Sequence, residues 1–302
     1  MHKKGNWSKI ITVIKTITDM SIFLCIFLLV LSCGKEKNGD DTQLKDMSES
    51  ILAEQMAIAK YILESVHGPT VNVPQHIKIE NKRIVAFDIG HSETDTIPEG
   101  LGKLKDLKVL KINNTNIRHL PEDVFALTSV ESLFVDVDKI DSLPESLENL
   151  KYLRYLSIYS NGLKKLPESI GMLMFLEELL VGVNSLERLP ESICNLRSLR
   201  ELAIYENHIT HLPDSLGRLI NLEHFEAQGN TIALLPPSFG QLKKLKVLYL
   251  NRNKFNSIPV LLDDLPLLKS LGIGGKIPFT EKMLPPKLFE RNQQRDIELI
   301  LG

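Results

Sequence analysis

The sequence is poor in cysteine: three residues in 302, Cys25, Cys33 and Cys194. They are too few and too scattered for a disulfide framework or a structural zinc site. There is one tryptophan, Trp7. The apolar run IFLCIFLLVL, Ile22 to Leu31, is too short for a membrane span, which takes about 20 residues. Excess charge is lacking too. The formal charge is −2. Without residues 1–32 it is −5, with 32 basic against 37 acidic residues, which argues against a nucleic-acid binder. No GxSxG, GxxxxGK[ST], HExxH or paired CxxC occurs. Gly272-Ile273-Gly274-Gly275 opens no phosphate-binding helix, and His208 and His211 read as solvated surface residues. The expectation is a protein that is not an enzyme and needs neither metal nor cofactor.

What is present is one sentence, repeated. Stepping by 23 residues, an aliphatic position recurs at Ile84, Leu107, Val130, Leu153, Leu176, Leu199, Leu222, Leu245 and Leu268. The ninth position of each unit reads Ser92, Thr115, Asp138, Asn161, Asn184, Asn207, Asn230 and Asn253. All eight are small polar side chains that can bond to backbone. A chain that turns after a strand frees N–H and C=O groups inside the array, and these need partners. An asparagine carries two donors and an acceptor, so stacked asparagines can bridge one turn to the next. Thr115 to Asn253 are therefore expected to form a structural ladder. The fourteenth and fifteenth positions repeat as Leu-Pro or Ile-Pro, from Ile97-Pro98 to Ile258-Pro259. Proline there presets φ at the start of a short helical turn.

These three rules resemble the leucine-rich repeat family in its 23-residue LPxxIGxL form. The resemblance implies an α/β solenoid: a horseshoe with a parallel β-sheet on its concave face, short helices or 3-10 turns on its convex face, and helical caps. It also implies protein–protein contact as the function.

A lysine-bearing start, a short apolar run and a small residue form a secretory signal. Its end, Val30-Leu31-Ser32-Cys33, resembles the lipobox of bacterial lipoproteins. That resemblance implies cleavage before Cys33 and lipidation of Cys33. It places the protein in a bacterial cell envelope, with the outer membrane favoured over the inner and with exposure at the surface open. An ordinary cleaved signal or an uncleaved anchor is the plainer alternative. Residues 1–32 are read as signal peptide and 33–46, charged and nearly free of aliphatics, as a flexible tether. Asp46 and Glu49 make a capping-box pattern before a helical stripe that ends at Gly68-Pro69. Residues 47–82 are the N-terminal cap, a helix plus a strand. Repeats fill 83–273. Residues 274–302 are the C-terminal cap, with a partial stripe of Leu288, Phe289, Ile297, Ile300 and Leu301. Cys194 is expected as a packed thiol on the convex side.

The variation that carries information lies on the strands. The third, fifth and seventh positions of each unit point away from the leucine core, onto the concave face. They gather Phe134, Tyr155, Tyr159, Leu180, Tyr205 and Tyr249, with Glu178, Glu201 and Glu226 beside them. Tyrosine offers a large apolar face and a polar tip, which suits a binding hot spot. Gly182, between Tyr159 and Tyr205, is expected to leave a shallow notch. The leading reading is a lipid-anchored protein that presents this face to a protein partner from host or envelope. Carbohydrate or cell-wall binding, with tyrosines as stacking platforms, is the alternative within binding. A purely structural envelope protein is the alternative outside it.

Overall fold

The computed structural model describes residues 39–275 and 278–301. The signal peptide and Cys33 lie outside the described residues, as does the start of the tether. Two units divide the chain, Met1–Glu54 and Gln55–Gly302.

In the first unit the described residues are the opening of helix α1, which spans Gly39–His67. Residues 39–46 are therefore helical, where a flexible tether was expected. Between Asp40 and Asp46 there is no glycine or proline to stop a helix. The capping-box pattern at Asp46 lies inside the helix, not at its start. No helix among the described residues is long and apolar enough to cross a membrane.

The second unit is one sheet of eleven strands whose spatial order is the order of the sequence. Strand β1 (Ile77–Glu80) runs antiparallel to β2 (Arg83–Asp88) through a turn with Asn81 and Lys82 at positive φ. From β2 on, every pairing is parallel. The strands are β3 (Val109–Lys111), β4 (Ser132–Phe134), β5 (Tyr155–Ser157), β6 (Glu178–Leu180), β7 (Glu201–Ala203), β8 (His224–Glu226), β9 (Val247–Phe255) and β10 (Ser270–Gly275). Their register is the sequence period: Val109 pairs with Ser132, Ser132 with Tyr155, and so on to Ser270. Short 3-10 turns, and one four-residue helix, α2 (Glu122–Phe125), fill the returns on the other side.

The alternation along each strand builds the core. The fourth and sixth positions, such as Leu156 with Ile158 and Leu202 with Ile204, are fully buried. Burying such a side chain is worth about 1.5–3 kcal/mol, repeated unit by unit. Within the second unit, the part of α1 from Gln55 onward buries Ala59, Ile62 and Leu63 at the start of the array, and Gln55 seals the edge of the first repeat by accepting the Ile84 N–H at 2.8 Å. At the far end α3 (Pro286–Gln293) buries Leu288. The C-terminal cap is not wholly helical. Glu298–Leu301 forms β11, which extends the sheet parallel to β10, with Ser270 opposite Glu298. The stripe Ile297, Ile300 and Leu301 thus belongs to a strand and its approach.

A second periodic device sits where each strand ends. The eighth residue of every unit is left-handed: His91, Asn114, Val137, Ser160, Val183, Glu206, Gly229 and Arg252, with φ between 50° and 69°. This turns the chain out of the sheet, and the ninth residue then ties it down. Asn184 Oδ1 accepts the Leu163 N–H at 3.0 Å, and its Nδ2 donates to the carbonyls of Ile158, Val181 and Gly182 at 2.8–3.2 Å. Asn207, Asn230 and Asn253 repeat the pattern on the N–H groups of Leu186, Ile209 and Ile232. Asn161, less buried, accepts from Ile140 N–H and donates to Val135 and Tyr159 carbonyls. Thr115 is too short to reach across. Its hydroxyl serves the Ile117 N–H, and Asp138 takes both the Thr115 N–H and hydroxyl.

On the helical side Gly217 stands where a Cβ would collide with the Ser238 carbonyl oxygen, so the glycine sets how closely turns stack. In the same column Cys194 is 1% exposed, and burial pushes its thiol up to about 11. A thiol held neutral in this way is a small packed apolar group.

Candidate functional site

The short strands of the second unit set the third, fifth and seventh positions side by side at the sheet spacing of about 4.8 Å. Tyr155, Glu178, Glu201 and His224 are consecutive partners in one such row. Phe134 and Leu180 occupy the fifth-position row, with Ser157 between them buried. Tyr159 and Tyr205 follow β5 and β7 in the seventh-position row.

The aromatic residues meet in two pairs. The Phe134 and Tyr155 rings lie 4.8 Å apart, tilted by 34°. Lys111 Nζ sits 5.6 Å from the Phe134 centroid, within reach of its negative face. Tyr159 and Tyr205 lie 6.1 Å apart at 45°. That is closer than two strand spacings, because Tyr205 leans across the intervening unit. A Cβ on Gly182 would come within 2.8 Å of its ring. The notch expected over Gly182 is therefore filled by Tyr205. The glycine serves as the floor on which that ring lies, and Tyr159, 36% exposed, is the more available of the two.

Asp136 organises the space between these pairs. Its Oδ1 accepts the Ser157 hydroxyl at 2.6 Å and the Tyr159 N–H at 2.8 Å, while its own N–H donates to Asn113 Oδ1 at 3.0 Å. The carboxylate fixes the backbone that presents Tyr159. Burial raises the phenol pKa values of Tyr155 and Tyr205, so both rings keep a neutral hydroxyl at physiological pH. Glu178 is also raised, by burial first and then by the nearby charges of Glu201 and Glu177, against a lowering by His224. Glu226 follows on β8, half-buried. Tyr249 stands further along β9 with its hydroxyl 3.2 Å from Ser270 Oγ, and it makes no ring contact with the other aromatics among the described residues.

This face offers flat apolar rings, neutral hydroxyls and a row of carboxylates, of which Glu178 has a raised proton affinity. It can hold apolar and cationic groups of a macromolecule. No group of three metal-binding side chains forms among the described residues. His208 and His211 are exposed at the turns, the latter 2.9 Å from Thr210 Oγ1. Lys111, Asp136 and His224 are members that sequence reasoning passed over. All three stand in the columns that named the others, but charge alone did not single them out.

A parallel sheet in strict 23-residue register, bound by an asparagine ladder and backed by short helical turns, defines a leucine-rich-repeat solenoid. Residues 141–226 match the family model of the leucine-rich repeat region. Among solved structures, the chain is similar to a leucine-rich repeat protein of Leptospira interrogans at 25% identity and TM-score 0.54, covering 71% of this chain and 65% of that one. It is similar to the plant peptide hormone receptor RGFR1 in complex with RGF2 at 23% identity and TM-score 0.61, over 74% of this chain and 40% of the receptor. The ectodomain of the Arabidopsis thaliana membrane receptor kinase GASSHO1/SCHENGEN3, in complex with Casparian strip integrity factor 2, matches at 22% identity and TM-score 0.59, over 74% and 33%. The chain thus spans from a third to about two thirds of the length of these proteins. No curated protein matches the sequence.

Proposed function

We propose that the chain is a lipid-anchored binding protein of a bacterial cell envelope, and that a protein partner docks on its concave sheet face. The observation that carries the docking is the pairing of Phe134 with Tyr155 and of Tyr159 with Tyr205 beside Glu178 and Glu201 on one open face. Aromatic anchors that can be desolvated together, with polar groups at their margin, are what a protein interface is built on. Two of the similar plant structures are complexes with a peptide hormone and with an integrity factor, which supports a protein or peptide ligand for this fold. The anchor rests on Val30-Leu31-Ser32-Cys33 after an apolar run. Several acyl chains would hold the protein firmly at a membrane.

A photo-crosslinking residue placed at Tyr159 in the full-length chain, exposed to envelope and host extracts, tests the docking. A discrete protein adduct from that position, absent from the same probe at Lys164, is the expected result. Adducts of equal yield from both positions would contradict it. For the anchor, Cys33→Ala should abolish labelling by a fatty-acid probe; a variant labelled and membrane-bound like the parent would refute acylation at Cys33.

A further inference from the structure

The charges of the array are sorted by repeat position. In the eight units from Ile84 to Leu267, positions sixteen to nineteen carry nine acidic residues and no lysine or arginine. These are the convex helical turns. The second, twentieth, twenty-second and twenty-third positions carry eleven basic residues against five acidic. They line the edge where each return leads into the next strand. Of those acids, Glu131, Glu177 and Glu223 are ion-paired within the edge, with Lys108, with Arg154 and Arg200, and with Arg200 and Lys246. Lys151, Arg197 and Arg218 make no ion pair among the described residues. A protein of net charge −2 thus bears one basic edge.

The same edge exposes apolar side chains that the core does not need. Tyr152 is 61% exposed, Met172 59%, Met174 50% and Phe175 49%. Tyr152 and Phe175 stack across neighbouring units, 6.3 Å between centroids and 17° between planes. Ser198 Oγ donates to the Met174 carbonyl at 2.7 Å, which ties the next return to this patch. Met174 shares its column with Lys151 and Arg197 on either side.

The core of a protein interface is depleted in lysine. Here rings and thioethers are set between unpaired cations, with nine acids gathered on the convex turns and three of the edge's own five acids already neutralised by its cations. That is the chemistry of the lipid interface. Apolar tips enter the boundary of headgroup and acyl chain, tyrosine sits at headgroup level, and basic side chains meet the phosphates. We propose that this edge lies on an anionic phospholipid surface, with Tyr152, Met172, Met174 and Phe175 inserted and with Lys151 and Arg197 on the headgroup phosphates. The proposal concerns a surface distinct from the concave face and does not depend on the partner that face takes.

The test uses the full-length chain with Trp7→Phe and Phe175→Trp, so that one indole reports from the edge whatever holds the N-terminus. In vesicles of equal parts phosphatidylglycerol and phosphatidylcholine with brominated acyl chains, its emission should shift to the blue and be quenched. With phosphatidylcholine alone, or with Lys151→Glu and Arg197→Glu added, the vesicle affinity read from the quenching should fall at least about twenty-five-fold, since each of the two cations at an anionic surface is worth about fivefold in binding. An indole placed on the acidic turn by Glu168→Trp should stay unquenched. Equal quenching in neutral vesicles, equal quenching from the Glu168 position, or no quenching at all would overturn the proposal; in the last case an edge that an envelope extract alone protects is a protein interface. Should a variant misfold, amide hydrogen exchange of the unsubstituted chain on the same vesicles reads the same surface. Slowed exchange at residues 149–154 and 172–177 supports the proposal, and exchange there unchanged by the vesicles overturns it.

Discussion

Asp138→Asn should stabilise this protein, and the gain should depend on pH. Asp138 holds the ladder position, 9% exposed. Its Oδ1 is well served, accepting the Thr115 N–H and hydroxyl at 2.6 Å each. Its Oδ2 is buried without a partner. In the units that follow, asparagine places an Nδ2 that donates to backbone carbonyls, and an ionised carboxylate has no proton to donate. Burial first, then the charge of Asp136, raises the Asp138 pKa from 3.8 to about 6, against the lowering effect of the Thr115 bonds. A folded pKa above the unfolded one means that the fold prefers the neutral acid. The stability from this group is present below the unfolded pKa and is lost as pH rises from about 4 through about 6. Above that the folded chain bears a constant cost. A shift of about two units corresponds to roughly 3 kcal/mol. The solvent that reaches the carboxyl edge and local relaxation reduce this to about 1–2 kcal/mol. Asparagine removes the charge and supplies the donor. Denaturant unfolding at pH 8 should show Asp138→Asn more stable by that amount, a rise in melting temperature of roughly 3–6 °C for this size of array. At pH 4.5 most of the gain should vanish. An unchanged or lower midpoint at pH 8, or an equal gain at both pH values, would refute the reasoning.

Two further stability predictions follow from the repeat. Asn184→Leu removes one acceptor and three donor contacts from buried backbone, which should cost about 3 kcal/mol or more. Hydrogen exchange should accelerate most in the units on either side of it, whereas an unchanged midpoint would mean that the ladder contributes nothing there. Val137→Asn replaces a β-branched residue, half exposed at φ 59°, with one that tolerates the left-handed region. It should gain about 0.5–1 kcal/mol in thermal unfolding, and a loss of stability would show that Val137 packs in a way its exposure does not reveal.

The repeat was legible because each unit obeys the same local rules and meets only its neighbours. Aliphatic positions 23 apart became register partners, and the columns read from the sequence are the rows of the sheet. What was not legible lies where that periodicity stops or where side chains choose among neighbours. The C-terminal stripe served a strand because β10 leaves an open edge to pair, which the residues alone do not reveal. Helix α1 starts upstream of its capping-box pattern because no residue between Asp40 and Asp46 stops it. The left-handed eighth position carries valine, serine, glutamate and arginine, so no residue type announces it. On the concave face the columns placed Tyr159 and Tyr205, but not the lean of Tyr205 onto Gly182. The role of Asp136 emerges only from its distances to Ser157 and Tyr159.

Docking on the concave face is tested most directly by the affinity of the crosslinked partner. It should be measured for the full chain, for Tyr159→Ala, for Glu201→Ala and for Lys164→Ala at the turns. Tyr159 is partly exposed and its backbone is held by Asp136, so its truncation should leave unfolding nearly unchanged. Loss of a central aromatic anchor typically costs about 2 kcal/mol or more. Tyr159→Ala should therefore bind at least about tenfold more weakly, Glu201→Ala measurably so, and Lys164→Ala like the parent. Full affinity in Tyr159→Ala and Glu201→Ala with weakened binding in Lys164→Ala would contradict the concave face as the binding surface.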